Sequence, residues 1–190
     1  MSNIVISGVG GQGVILASDI LSEVALKNGF DAKKAEVHGM AQRGGSVLSH
    51  VRFSDKVYSP LIQKGSADIL MSFELLEALR YLDFLSPDGL VIVNEQKIFP
   101  PTITTGKAKY PDNILDILKQ NSKKVIAIDA IQTALNLGNI KTVNVLLIGI
   151  LSNFLSFTEQ SWLDVILSYV PKKATDINKK AFWEGREKFQ

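Results

Sequence analysis

Residues 3–13 read Asn-Ile-Val-Ile-Ser-Gly-Val-Gly-Gly-Gln-Gly, and residues 14–27 continue as Val-Ile-Leu-Ala-Ser-Asp-Ile-Leu-Ser-Glu-Val-Ala-Leu-Lys. Ile4–Ser7 has the apolar character of a buried strand. Beyond it, Ile15, Ala17, Leu21, Val24 and Ala25 recur at helical spacing, and Asn28-Gly29 supplies a C-cap pair. Gly8, Gly10 and Gly13 satisfy G-x-G-x-x-G, and Gly11 adds a fourth glycine to the turn. A strand that enters a helix this way aims the unbonded N–H groups of the helix start at whatever occupies the crevice. The pattern is a Rossmann-like first βα turn, and Gly8, Gly10, Gly11, Gln12 and Gly13 form a candidate anion site. Three uses remain open for these glycines: a tight turn packed on the sheet, a phosphate or other anion site, or a full NAD or FAD site.

A dinucleotide site also needs a carboxylate at the end of the second strand, roughly twenty residues on. Glu36 stands near that distance. Its strand, Asp31–Val37, is polar for a central one, and it leads into His38-Gly39-Met40 rather than into a helix. Residues 38–46, His-Gly-Met-Ala-Gln-Arg-Gly-Gly-Ser, have no period and read as an ordered loop. Val47–Ser54 then alternates as a half-exposed strand, and a hairpin with a second strand around Lys56–Ile62 is expected. In the loop, His38 is the one candidate catalytic residue, because an imidazole is the side chain whose ordinary charge change lies nearest neutral pH. Arg43 offers a planar fork of donors for carboxylate or phosphate. The loop is either a hydrated surface turn or a contact with a partner.

Further on, an α/β rhythm resumes. Strands are expected at Ala67–Ser72, Leu90–Asn94 and Lys124–Asp129. Helices are expected at Glu74–Phe84 (ended by Ser86-Pro87-Asp88-Gly89), Asn113–Asn121 and Ala130–Leu137, with residues 99–112 irregular. Three closing helices cover Thr142–Leu155, Glu159–Tyr169 and Asp176–Phe189, with Thr142, Thr158 and Thr175 as N-caps. Alternation of this kind implies one three-layer α/β/α domain over residues 1–190, with a mainly parallel sheet and an antiparallel hairpin. The apolar stripe Val145–Leu155 suits either core or interface. Asp129, at a strand end, is a helix N-cap or a ligand-side carboxylate, and His50 on its strand reads as structural.

Composition narrows the functions. Lys and Arg number 21 against 19 Asp and Glu, a net charge of +2 that does not suit a dedicated nucleic-acid binder. The C-terminal basic residues, from Lys172 to Lys188, are interleaved with acids as on a solvated helix. There is no cysteine, hence no disulfide, thiolate nucleophile or cysteine-ligated cluster, and the two histidines, His38 and His50, suggest no metal site. The N-terminus has no signal-peptide pattern, and Val143–Leu155 is too short and polar to span a bilayer, so a cytoplasmic location is expected. No Ser–His nucleophile arrangement is present.

Taken together, Gly8-Val-Gly-Gly-Gln-Gly-Val14, Glu36-Val-His-Gly-Met-Ala-Gln-Arg-Gly-Gly-Ser46, Ser49-His-Val-Arg-Phe-Ser54 and the terminal Ala181-Phe-Trp-Glu-Gly185 resemble the gamma-type domain of 2-oxoacid:ferredoxin oxidoreductases. The likeness spans nearly the whole chain and leans to the branch acting on aryl pyruvates such as indole-3-pyruvate. It implies a subunit that is inactive alone and binds no cofactor itself. A large alpha subunit would carry thiamine diphosphate, magnesium and iron–sulfur clusters, with coenzyme A as co-substrate and ferredoxin as acceptor of the complex. This sequence lacks the Gly-Asp-Gly motif with its following asparagine that a thiamine diphosphate site uses; Pro87-Asp88-Gly89-Leu90 is not one. The resemblance makes His38, Gln42, Arg43, Gly44, Gly45 and Ser46 the expected partner interface of a hetero-oligomer. Two other readings are a nucleotide- or small-ligand-binding regulatory module and a standalone NAD(P) or flavin oxidoreductase.

Overall fold

Strand β1 (Ser2–Val9) is buried on both faces, with Ile4 and Ile6 in one core and Val5 in another. A strand buried on both sides lies at the centre of a sheet covered by two layers. The computed structural model describes residues 1–39 and 44–189, with His38 described by its backbone alone. β1 pairs in parallel with β4 (Ala67–Ser72), which continues in parallel to β5 (Leu85–Asn94) and β6 (Lys124–Ile128). On its other side β1 pairs antiparallel with β3 (Ser46–Ser54), which pairs antiparallel with the edge strand β2 (Asp31–His38). The six-stranded order is β2-β3-β1-β4-β5-β6.

The helices divide between the faces. Helix α1 (Val14–Lys27) shares the larger core with Ile4, Ile6 and Met71. Helix α2 (Leu75–Arg80), the one-turn α3 (Pro101–Thr104) and α4 (Ile114–Gln120) follow along the chain, and Leu75, Ala78, Ile114 and Leu118 pack with Val5, Leu70 and Val91 on the opposite face. Helices α5 (Ala130–Leu137), α6 (Val143–Ser152), α7 (Glu159–Tyr169) and α8 (Thr175–Lys188) complete the α1 side. β1 therefore feeds one face while its neighbour β4 feeds the other. The crevice at such a switch point, outside the carboxyl ends of the strands, is where open α/β sheets bind ligands.

The expected three-layer architecture is observed, with several local corrections. The hairpin is β2–β3 around residues 39–45, not a pairing of 47–54 with 56–62. Asp31 accepts the Val57 N–H, Arg52 donates to the Ser59 and Leu61 carbonyls, and the Ile62 N–H donates to His50 Nδ1, so that segment is strapped over the sheet as a loop. As an edge strand, β2 can carry Lys33, Lys34 and Glu36, a polarity that a central strand would not tolerate. The helix expected over 74–84 ends at Arg80, and a short 3-10 turn (Leu82–Phe84) leads into β5. The Ser86-Pro87-Asp88-Gly89 turn signal lies inside β5, where the β4–β5 register shifts between Ala67 and Ile69. Of the three threonine caps, Thr158 accepts the Ser161 N–H, whereas Thr142 and Thr175 make no cap bond. Asn139 instead caps the 3-10 turn before α6. Ile15 departs from the buried stripe of α1 and is 42% exposed. Of the Val145–Leu155 stripe, Val145–Ser152 is core, every residue of α6 being buried, while Asn153, Phe154 and Leu155 are half-buried.

Candidate functional site

The glycine turn and the base of the 38–46 loop are one structure. The Gly10 N–H donates to the Gly45 carbonyl at 2.8 Å, and the Gly44 N–H returns to the Gly10 carbonyl at 3.4 Å. These bonds extend the β1–β3 ladder past its last pair, Val9 with Ser46. Two sequence motifs far apart along the chain thus meet at the C-terminal edge of the sheet. Gly44, Gly45 and Ser46 are placed there, Gln42 and Arg43 lie outside the described residues, and His38 enters as the last backbone position of β2.

Within the turn the four glycines differ. A Cβ on Gly8 would lie 2.7 Å from Val14 Cγ2 and 2.9 Å from Phe73 Cβ, so Gly8 is required by packing. Gly11 and Gly13 take φ of 104° and 90°, a left-handed geometry that side chains resist. Gly13 is the N-cap of α1, and no side chain caps that helix start. Gln12 fastens the turn to the sheet. Its Oε1 accepts the Val9 N–H at 2.6 Å, and its Nε2 donates to the Phe73 carbonyl and to Gln96 Oε1 at 3.1 and 2.8 Å. The Gln12 side chain is therefore occupied in holding the turn's shape.

Gly11, Gln12 and Gly13 open onto a cavity of about 450 Å³, closed on its other sides by Gln96, Ile131, Ile140, Lys141, Val143 and Asn144. The starts of α1, α5 and α6 all contribute to its wall, so the positive ends of helix dipoles converge on it. Among the described residues, Lys141 is the only charged one in the lining. Asn144 is 7% exposed; its Oδ1 accepts the Val145 N–H, and its Nδ2 stands 3.2 Å from where a Gly13 Cβ would sit. Apolar walls with the uncapped start of α1 and a cation suit an anionic, partly apolar ligand. Gln96, Lys141 and Asn144 escape a motif reading because Gln96 follows β5, whereas Lys141 and Asn144 lie together where the 3-10 turn runs into α6. The signal for Lys141 is its place just before an apolar helix, on the ligand side of the sheet.

The loop base has a second anchor. The Ser46 hydroxyl donates to Glu77 Oε2 and lies 2.8 Å from Tyr81 Oη, while Glu77 Oε1 accepts from Arg80 Nε at 3.0 Å. Glu77 is buried, and its neighbour Glu74, also buried, accepts from the Glu77 and Ile98 N–H groups and from the Tyr110 hydroxyl. Burial and then the Glu74 carboxylate push the Tyr110 phenol above its ordinary range. His50 lies apart from the cavity, edge-on to Phe84, and burial lowers its pKa below the usual 6.5. It is a structural, neutral histidine. Asp129 caps α5 by accepting the Gln132 N–H. Among the described residues, no group of three His, Asp or Glu is placed to hold a metal, and no helix is long and apolar enough to cross a membrane.

Comparison with known proteins places this geometry. The family model described as pyruvate ferredoxin/flavodoxin oxidoreductase matches residues 3–188. A protein of Pyrococcus horikoshii named indolepyruvate oxidoreductase subunit IorB is 44% identical over 185 residues, covering 95% of this chain and 92% of its own length. The gamma subunit of a keto/oxoacid ferredoxin oxidoreductase from Geobacter sulfurreducens superposes with a TM-score of 0.74 at 26% identity, covering 99% of this chain and 98% of that one. A 2-oxoglutarate:ferredoxin oxidoreductase from Magnetococcus marinus shares the fold with a TM-score of 0.74 at 19% identity, over 98% of this chain but only 30% of its own. With a match running almost end to end, this chain belongs to the pyruvate ferredoxin/flavodoxin oxidoreductase family.

Proposed function

We propose that this chain is the small subunit of a cytoplasmic 2-oxoacid:ferredoxin oxidoreductase acting on aryl pyruvates, indolepyruvate foremost. The observation that carries the reading is the 44% identity, over 95% of the chain, to the Pyrococcus horikoshii indolepyruvate oxidoreductase subunit. The reaction converts a 2-oxoacid and coenzyme A to an acyl-CoA and carbon dioxide, and passes two electrons to ferredoxin. Thiamine diphosphate with magnesium supplies the electron sink for decarboxylation, and it belongs to a large alpha subunit. Iron–sulfur clusters are held by cysteine thiolates, which this sequence does not have, and they are assigned to the same partner.

This chain's own contribution is binding and orientation. The cavity at Gly11–Gly13 receives an anionic portion of coenzyme A, held by the N–H groups at the start of α1 and by Lys141. The 38–46 loop, fixed at its base by Gly10 and Glu77, contacts the alpha subunit, and His38 and Arg43 belong to that contact. Pairing of the two motifs at Gly10 and Gly45 supports a shared task for turn and loop.

Steady-state kinetics of the purified two-subunit complex test these assignments. Lys141→Ala should raise the KM for coenzyme A about tenfold, the worth of one charge-assisted contact, with little change in the KM for the oxoacid. Arg43→Ala should weaken assembly or turnover while the variant chain melts as wild type does. An unchanged KM for coenzyme A in the Lys141 variant would remove the cavity from the coenzyme site. Full activity in the Arg43 variant would remove that residue from the contact.

A further inference from the structure

Three amide side chains, Gln12, Gln96 and Asn144, stand in the wall of the cavity beside Gly11 and Gly13, and the groups they meet decide which end of each is oxygen. One end of Gln12 meets the Val9 N–H and is Oε1; the other meets the Phe73 carbonyl and is Nε2. That Nε2 also reaches Gln96 at 2.8 Å, so the atom it meets there is Oε1, which Asn94 Nδ2 approaches as well at 3.4 Å. Asn144 turns its Oδ1 to the Val145 N–H at 2.9 Å. All three amide oxygens are thus occupied by donors of this chain. Among the described residues, Gln96 Nε2 and Asn144 Nδ2 have no hydrogen-bond partner, and Lys141 makes no ion pair.

Asn144 is the most telling of these groups. It is the second residue of α6 and only 7% exposed, and its Nδ2 would lie 3.2 Å from a Cβ on Gly13. The amide nitrogen therefore faces the space that Gly13 leaves open at the uncapped start of α1. A buried donor without an acceptor is costly, and its presence in a cavity wall calls for an acceptor from outside the chain. Every side-chain polar group still free in this wall is a donor. Adenine, ribose and nicotinamide each bring N–H or O–H groups that need acceptors. Glu36, at the spacing of a dinucleotide carboxylate, is not in the lining and is bonded to Lys34 on the edge strand. A phosphoryl group brings negatively charged acceptors alone, and it suits such a wall.

We propose that Asn144 Nδ2 and Gln96 Nε2, with Lys141 and the start of α1, form a donor-only subsite for a phosphoryl group, oriented by Asn144, and that the nucleoside of a ligand lies outside this cavity. The proposal rests on the coenzyme reading above. It adds the residues that select the phosphoryl group and the exclusion of adenosine from the same space.

Calorimetric titration of the full chain with inorganic pyrophosphate, adenosine and acetate tests it. Asn144→Asp keeps an oxygen for the Val145 N–H and replaces the free donor with a charged acceptor. Gln96→Glu makes the same change where the chain leaves β5, and it carries the same prediction if the Asn144 variant fails to fold. Wild type should bind pyrophosphate and not adenosine, and each variant should bind pyrophosphate at least about tenfold more weakly. Absence of pyrophosphate binding by wild type, or wild-type affinity in a folded Asn144→Asp chain, would overturn the proposal. So would adenosine binding that pyrophosphate displaces, or acetate binding as tight as that of pyrophosphate. In the assembled complex, a raised KM for coenzyme A in Asn144→Asp would join the subsite to the coenzyme. Pyrophosphate binding lost from the variant chain with that KM unchanged would overturn the coenzyme reading and leave the phosphoryl subsite standing.

Discussion

At the crossing of α6 and α8, a methyl group on Gly149 would lie 2.2 Å from the Phe182 carbonyl oxygen, and one on Gly185 would lie 2.1 Å from that of Leu146. At the mouth of the cavity, a methyl group on Gly11 would meet nothing within 4 Å. The same residue type serves opposite purposes in these two regions. In the helix pair it lets two backbones touch, sealing a core that holds every residue of α6. In the turn it answers only to a φ of 104° and leaves a backbone edge open. The turn glycine is kept for its φ alone, and it borders the cavity proposed above as the coenzyme site.

Substitution should separate the two regions sharply. Gly149→Ala or Gly185→Ala forces the helices apart and should destabilise the chain by about 3 kcal/mol or more, lowering the melting temperature by about 10 °C. A melt within a degree or two of wild type would mean that the crossing is loosely packed. Gly11→Ala has room but adopts an unfavourable φ, and should lose only about 1 kcal/mol. Its larger signature should be a raised KM for coenzyme A in the assembled enzyme. If Gly11→Ala proved as damaging to the melt as Gly149→Ala, the contrast between open turn and sealed crossing would fail.

The smallest expected effect concerns pH. Burial holds the folded His50 imidazole below its usual value of 6.5, so below that pH the unfolded chain takes up a proton that the folded chain does not. The stability this represents is complete above pH 6.5 and is lost as pH falls through 6.5 toward the folded pKa, by at most about 1.4 kcal/mol per pH unit. His50→Asn keeps an acceptor for the Ile62 N–H and removes the titration. Melting between pH 7.5 and 5.5 should decline less in the variant than in wild type. Equal declines would place the effect elsewhere.

Much of the architecture was legible because it rests on local pattern. The first strand, the glycine turn, α1 with its Asn28-Gly29 cap and the Thr158 cap follow from spacing and turn chemistry, whereas Asp129 and the Val145–Leu155 stripe each kept two readings that only the tertiary packing decides. The hairpin partner is misplaced in the sequence reading because β2 and the 56–62 segment are both mixed in polarity. Only the tertiary bonds from Asp31, His50 and Arg52 decide which one pairs with β3. The candidate site divides in the same way. Gly8–Gly13 and Gly44–Ser46 are visible as motifs, and their union through Gly10 and Gly45 is a fact of topology. Lys141, Asn144 and Glu77 became relevant only when chain connections far apart in sequence closed around the same edge of the sheet.

The most direct test is an anaerobic assay of three samples: this chain, the large alpha subunit from the same source, and the two reconstituted together. Ferredoxin reduction that requires an aryl pyruvate and coenzyme A should occur only in the reconstituted sample, with both single chains inert. Full activity of the large subunit alone, or nicotinamide- or flavin-dependent turnover by this chain alone, would contradict the account.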